Sequence, residues 1–206
     1  DAGSWFAPAF ATETVPTLAT VLDLLAGRLR INVELKDAAA GLAVLDLLPR
    51  FPGAEVVLSC FDRGALHELR RADPRVPLAV LSEESGWHRL IPEALVLGAT
   101  TLHLRADVVT RPLVAAARAA GLPVYAWTVD APGAARTLLR AGVAGLFTND
   151  PARLRSSIMT PAAARGILDA ILWKPQMSWH VRRITALPPV RAKSDWPHAC
   201  RDGGRG

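Results

Sequence analysis

Cysteine is nearly absent: the chain of 206 residues has two, Cys60 and Cys200. They are too few for a disulfide framework and do not have a metal-ligand spacing. No apolar run reaches the ~18 residues of a membrane span, so stable membrane insertion is not expected. No glycine-rich phosphate loop follows any apolar run, which disfavours a dinucleotide-binding sheet. An excess of one charge is also missing from the body of the chain. Residues 1–155 hold 16 Lys and Arg against 16 Asp and Glu, whereas residues 156–206 hold 8 against 3. The net charge of +5 therefore sits in the tail, and the body gives no sign of a nucleic-acid partner. The first residue is Asp1 and no signal peptide is evident, as in a processed product or a fragment. A cytoplasmic location is the default expectation, with a secreted or periplasmic one left open.

What remains is a globular composition, 50% hydrophobic and 21% charged, long enough for one domain with a sizeable core. The stretch Ile31-Asn32-Val33-Glu34-Leu35-Lys36 alternates strictly between apolar and polar. That is the period of a strand with one face under helices and another carrying a carboxylate and an ammonium together. A half-exposed strand with a surface ion pair has the same pattern, so its neighbours decide the reading.

Those neighbours alternate between strand and helix. After a loop, Thr17 is the predicted N-cap of a helix that Gly27 stops. Strands are predicted to start at 31, 56, 77, 101, 124 and 143, with helices between them. Asp62 and Asp130 are the predicted N-caps of two of these helices. The strands are mostly apolar, as in a parallel sheet covered by helices. Six βα units suit an open doubly wound sheet or most of a (βα)₈ barrel. A barrel carries its chemistry at the C-terminal strand ends, where Glu34 and Lys36, Ser59 and Phe61, His103 and Arg105, Trp127 to Asp130, and Thr148 to Asp150 fall. Beyond 155 the pattern breaks, and 156–206 reads as a basic, poorly ordered extension with one helix at about 161–173.

Six fragments in order carry a resemblance. Asp1-Ala2-Gly3-Ser4-Trp5-Phe6, Val15-Pro16-Thr17-Leu18, Asn32-Val33-Glu34-Leu35-Lys36, Ser59-Cys60-Phe61-Asp62, Trp127-Thr128-Val129-Asp130 and Gly142 to Pro151 resemble motifs of the glycerophosphodiester phosphodiesterase family. The second and third are similar to its "iPTLeevL" and "NiEiK". The fourth departs by one residue from "SSFd", the fifth has Asp where the family has "WTVN", and the last has one residue extra before the proline. The resemblance implies a (βα)₈ TIM-type barrel, N-terminally truncated here to about six βα units over 1–155, matching family strands three to eight. Two open edges and an exposed inner face are then expected.

The resemblance implies that Glu34 is a ligand to a divalent metal, Mg²⁺ or Ca²⁺, which as a hard cation prefers oxygen. It implies that Lys36 stabilises the phosphate, and that Phe61 and Trp127 line the wall holding the alcohol portion. His103 stands at a strand end as a further substrate-binding candidate, whereas His67 and His88 read as surface residues and His180 and His198 lie in the tail. The family's acid–base histidines, from "HRG" and "HD" motifs, and its "ExD" carboxylates are missing from this sequence. The implied reaction is metal-dependent hydrolysis of a small glycerophosphodiester to an alcohol and glycerol 3-phosphate, with this chain alone expected to be inactive or nearly so. Two alternatives are a phospholipase-like barrel phosphodiesterase and a non-catalytic remnant whose basic tail binds an anionic partner.

Overall fold

A computed structural model describes residues 2–158, Phe6 excepted. From residue 159 on, the expected extension lies outside the described residues, as do the helix at about 161–173, His180 and His198.

The elements alternate as the sequence pattern predicts. Helix α1 (Leu18–Leu25) starts at Thr17, whose side chain accepts from the Thr20 amide at 3.1 Å, satisfying one of the orphan donors of the first turn. Strand β1 (Arg30–Glu34) leads to α2 (Ala38–Leu47), capped by Asp37. Then come β2 (Glu55–Cys60), α3 (Arg63–Ala72), β3 (Leu78–Ser82) and α4 (Trp87–Leu97). Strand β4 (Thr101–Arg105), α5 (Arg111–Ala119), β5 (Val124–Trp127) and α6 (Pro132–Ala141) follow, and β6 (Gly145–Leu146) and α7 (Pro151–Ile158) end the described run. Asp62 caps α3 as expected, accepting from the Gly64 and Ala65 amides at 2.7 and 3.3 Å. Gly142 closes α6 at φ 97°, a left-handed conformation that glycine adopts without a Cβ clash.

Two details differ from the sequence reading. The last strand, expected over 143–148, is confined to Gly145–Leu146. Asp130 does not cap α6, because the helix begins at Pro132 with Ala131 in the capping position and no side-chain bond there. Its carboxylate is taken instead by Thr148 and Asn149.

Among the described residues all five strand pairs are parallel and the order is β1-β2-β3-β4-β5-β6, with no reversal. A doubly wound sheet reverses direction at a switch point and puts helices on both faces. Here, among the described residues, the helices cover one face only. Ile31, Leu58, Val80, Leu102, Leu104 and Ala126 share a core with helix residues such as Leu22, Leu66, Leu69 and Leu113, while Leu81, Tyr125, Trp127 and Phe147 form a separate cluster free of helix residues. The sheet is therefore the curled, barrel-type arrangement with six of its βα units.

The concave face is not exposed as expected. Asn32, Glu34, Ser59, Thr101, His103, Tyr125 and Phe147 are all buried. Curling brings side chains from non-neighbouring strands together, so that Phe61 after β2 meets Trp127 of β5. The side chains fill the hollow themselves.

Candidate active site on the concave face

Register sets the layers. Glu34 pairs with Ser59, Ser59 with Ala79, and Ala79 with Thr101, which puts one carboxylate and three small residues in a row. One step toward the C-terminal ends, Leu81 pairs with His103 and His103 with Tyr125. One step further, Arg105 pairs with Trp127. Polarity thus falls into rows because each strand turns alternate residues to this face.

Glu34 closes β1 and Lys36 follows two residues on. The Lys36 ammonium donates to Glu34 Oε1 at 2.5 Å, with the carboxylate side chain 2% exposed and the lysine 56%. A buried carboxylate requires such a partner, and the exposed lysine has further N–H donors beyond the one it gives to Glu34. Leu35 between them is fixed from both sides. Its amide donates to Ser59 O at 2.7 Å, and its carbonyl accepts from Cys60 Sγ at 3.3 Å. Burial pushes the Cys60 thiol up, which keeps it a donor. A Cβ on Gly41 of α2 would come within 2.9 Å of Leu35 Cδ1 and 2.7 Å of Leu69 Cδ2, so the small residue allows close approach beneath the Glu34–Lys36 corner.

Phe61 is 42% exposed and lies edge-on to Trp127, at 5.7 Å between ring centroids and 90° between planes, a favoured aromatic geometry. Trp127 is itself buried, in the cluster with Leu81, Tyr125 and Phe147. Phe61 is therefore at the mouth, and Trp127 joins mouth to interior. His103 lies deeper, 4% exposed, with its ring edge-on to both Tyr125 and Phe147 and Nε2 3.2 Å from Thr101 Oγ1. Burial holds its pKa down at about 3, so the ring is neutral at pH 7. A ring so placed packs in the interior against Tyr125 and Phe147, and as a neutral imidazole it is not a general acid at that pH. His67 and His88 are on the surface, His88 stacked on Trp87.

Several buried polar atoms on this face have no hydrogen-bond partner among the described residues: Asn32 Oδ1 and Nδ2, Ser59 Oγ and His103 Nδ1. At the rim, Arg105 bridges Asp107 at 2.6 Å and Glu83 at 2.7 Å. Arg63 Nη1 donates to the carbonyls of Phe61 and Leu81, both at 2.9 Å. Asp130 accepts from Thr148 Oγ1 at 2.9 Å, the Asn149 amide at 2.7 Å and Asn149 Nδ2 at 2.9 Å, tying the end of β5 to the loop after β6. Burial works to raise its pKa, but these bonds and the charge of Arg153 outweigh burial and hold the carboxyl below its ordinary value.

Sequence reasoning missed the Cys60, Arg63 and Asp130 ties. Each joins residues 18 to 25 positions apart in different βα units, for which no local pattern exists.

Among the described residues no group of three His, Cys, Asp or Glu is placed to hold a metal. Glu34 stands alone, with one oxygen on Lys36, whereas Mg²⁺ and Ca²⁺ need several oxygen ligands. The described residues by themselves do not fit a divalent metal. No helix among them is long and apolar enough to cross a membrane.

Comparison with known proteins agrees with this arrangement. The profile described as "Glycerophosphoryl diester phosphodiesterase family" matches residues 1–153. A glycerophosphodiester phosphodiesterase of Caldanaerobacter subterraneus subsp. tengcongensis is 27% identical over 173 residues, covering 75% of this chain and 66% of the relative. The chain thus spans just under two thirds of that relative's length. Two solved structures share the fold. One is an Oleispira antarctica phosphodiesterase in complex with the product sn-glycerol-3-phosphate (TM-score 0.68, 24% identity, 77% of this chain and 67% of that one). The other is a glycerophosphodiester phosphodiesterase from Agrobacterium tumefaciens (0.64, 21%, 76% and 68%). A separate, short likeness, 48% over 42 residues or 20% of the chain, is to a CRISPR pre-crRNA endoribonuclease Cas5d of Mannheimia succiniciproducens, of which it covers 19%.

Proposed function

The chain belongs to the glycerophosphoryl diester phosphodiesterase family, and from that premise we propose that its concave face serves the hydrolysis of a glycerophosphodiester to an alcohol and sn-glycerol 3-phosphate. The observation that carries this is the Lys36–Glu34 pair, 2.5 Å apart at the C-terminal end of β1, on the face shared with the Phe61–Trp127 edge. In the reaction a water oxygen bonds to phosphorus, the phosphorus–oxygen bond to the alcohol breaks, and the alcohol leaves with a proton. Negative charge grows on the phosphoryl and leaving oxygens. The Lys36 ammonium opposes that growth as a fixed charge, oriented by Glu34. Phe61 and Trp127 form the wall for the alcohol portion, and His103 lies deeper as a neutral ring against Tyr125 and Phe147, which share a cluster with Trp127. The Oleispira antarctica phosphodiesterase of the same fold is in complex with the product sn-glycerol-3-phosphate, which supports a small phosphate ligand for this chain.

Two parts of the machinery do not come from the described residues. His103 is neutral and buried, so the acid–base group has to lie elsewhere. The proposal includes a divalent cation, Mg²⁺ or Ca²⁺, toward which Glu34 contributes one oxygen and other ligands lie outside the described residues. When bound, such a cation supplies positive charge at the phosphate.

Titration of the 206-residue chain with sn-glycerol 3-phosphate, followed by NMR, tests the reading. Saturable shifts that Lys36→Met abolishes are expected, with hydrolysis of glycerophosphodiesters close to background. No binding by the wild-type chain counts against the proposal. Robust turnover abolished by Glu34→Ala sinks the expectation of inactivity while strengthening the function. A lipid or cyclic phosphate product, resolved by ³¹P NMR, transfers the chain to a phospholipase-like reaction.

A further inference from the structure

We propose that Arg63 is a positioning residue for the aromatic wall, holding Phe61 edge-on to Trp127 by bonding the ends of two strands at once. The inference rests on the reading that Phe61 and Trp127 face the alcohol portion of the substrate. The ladder between β2 and β3 stops at Cys60 paired with Val80, so Phe61 and Leu81 lie just past the last regular pair. There the Arg63 Nη1 hydrogens take over, one to the Phe61 carbonyl and one to the Leu81 carbonyl, each at 2.9 Å.

Both tethered residues put side chains into the same aromatic region. Phe61 meets Trp127 at 5.7 Å, and Leu81 shares the buried cluster of Tyr125, Trp127 and Phe147. Leu81 is 2% exposed and is held by its surroundings, but Phe61 is 42% exposed and is not. Its orientation therefore depends on backbone tethering more than on burial. The guanidinium is steadied on its other side by Glu93 of α4, Nε to Oε2 3.8 Å. A planar fork on a long stem suits such bridging, which a non-polar chain of equal length cannot perform.

The full chain labelled with 5-fluorotryptophan, with Trp127→Phe to identify its signal, reports on the ring directly. Arg63→Met is expected to shift the Trp127 resonance as Phe61→Leu does. The double substitution should add nothing further, the signature of residues acting as one unit. Arg63→Lys, which keeps the charge and an N–H donor group but not the planar fork, should fall between the wild-type and Arg63→Met positions. In binding, Arg63→Met should weaken a glycerophosphodiester by roughly two- to tenfold, the scale of one aromatic contact. Affinity for sn-glycerol 3-phosphate, which lacks the alcohol portion, should be unchanged.

The proposal is overturned if Arg63→Met leaves the Trp127 signal in place while Phe61→Leu moves it. Equal weakening of both ligands overturns it too, as does failure of Arg63→Met, Arg63→Gln and Arg63→Lys alike to fold, which marks a purely structural role. If the wild-type chain binds neither ligand, the proposed function falls and the fluorine signals alone decide the role of Arg63.

Discussion

Each strand turns one face to the helices and the other to the hollow, and the two faces are built differently. On the helix side Leu58, Leu78, Leu102, Leu104 and Ala126 are fully buried among aliphatic neighbours. On the concave side the sheet carries Asn32, Glu34, Ser59, Thr101 and His103, several with polar atoms left without partners among the described residues. A face selected only for stability sheds such groups, because each unpaired buried polar atom is unfavourable. The apolar side makes the fold, and on the proposed function the concave side gives up stability for chemistry.

That contrast is sharpest under truncation. Leu58→Ala or Leu102→Ala should lose ~2–5 kcal/mol of unfolding free energy, the range for an aliphatic side chain removed from a tight core. Urea titration would check it, and a loss below 1 kcal/mol would break the contrast from the helix side.

Acid should act next most strongly, and on the concave side. The unfolded chain binds a proton on His103 near the ordinary value of 6.5, whereas the folded chain refuses it until about pH 3. Stability is therefore full above pH 6.5 and falls as pH drops through the window down to about 3. His103→Phe should flatten that slope in unfolding curves taken at stepped pH, and an unchanged slope would show that the ring is not sealed in.

Asp130→Ala should be milder, ~1–2 kcal/mol for a partly exposed carboxylate with several donors. Because its folded pKa is lowered, the stability it confers is present above the ordinary carboxylate value and is lost as pH falls further through the folded one. The effect should be localised, with hydrogen exchange accelerating around 145–150 before β1 to β3 respond. Ser59→Ala should change least. It removes a buried hydroxyl with no partner among the described residues, so the expected change is between zero and about 1 kcal/mol of stabilisation. A loss of more than 1 kcal/mol would mean that the hydroxyl is satisfied after all, and the two faces would be less different than they look.

The fold was legible wherever the cause was local. The alternation of Ile31 to Lys36 separates the two faces of β1, and Thr17 and Asp62 announce their helices through capping chemistry. The curl was not legible, because it belongs to the sheet as a whole, and so the inner face was expected to be open when Tyr125, Trp127 and Phe147 in fact fill it. Asp130 was misread for the same reason. An aspartate just ahead of Pro132 has the look of a cap, but donors 18 and 19 residues away compete for its carboxylate and win. The candidate site divides likewise: Glu34 and Lys36 meet because they are two positions apart on one strand, while the tethers from Arg63 and Cys60 join separate βα units.

The unbroken strand order bears on how the molecule comes into being. Arg30 pairs with Glu55, Leu58 with Leu78, Ala79 with Thr101, Leu102 with Val124 and Tyr125 with Gly145, so among the described residues each strand pairs with the next one in sequence. The entropy of closing each loop is nearly the same at every step, since it grows only with the logarithm of loop length. Growth can then proceed one unit at a time as the chain leaves the ribosome, each new strand laid on an edge that already exists. Partners 20 to 25 residues apart still have to close their loops before parallel pairing gives anything back, but this order lets a barrel be lengthened at an edge without undoing the strands already laid down.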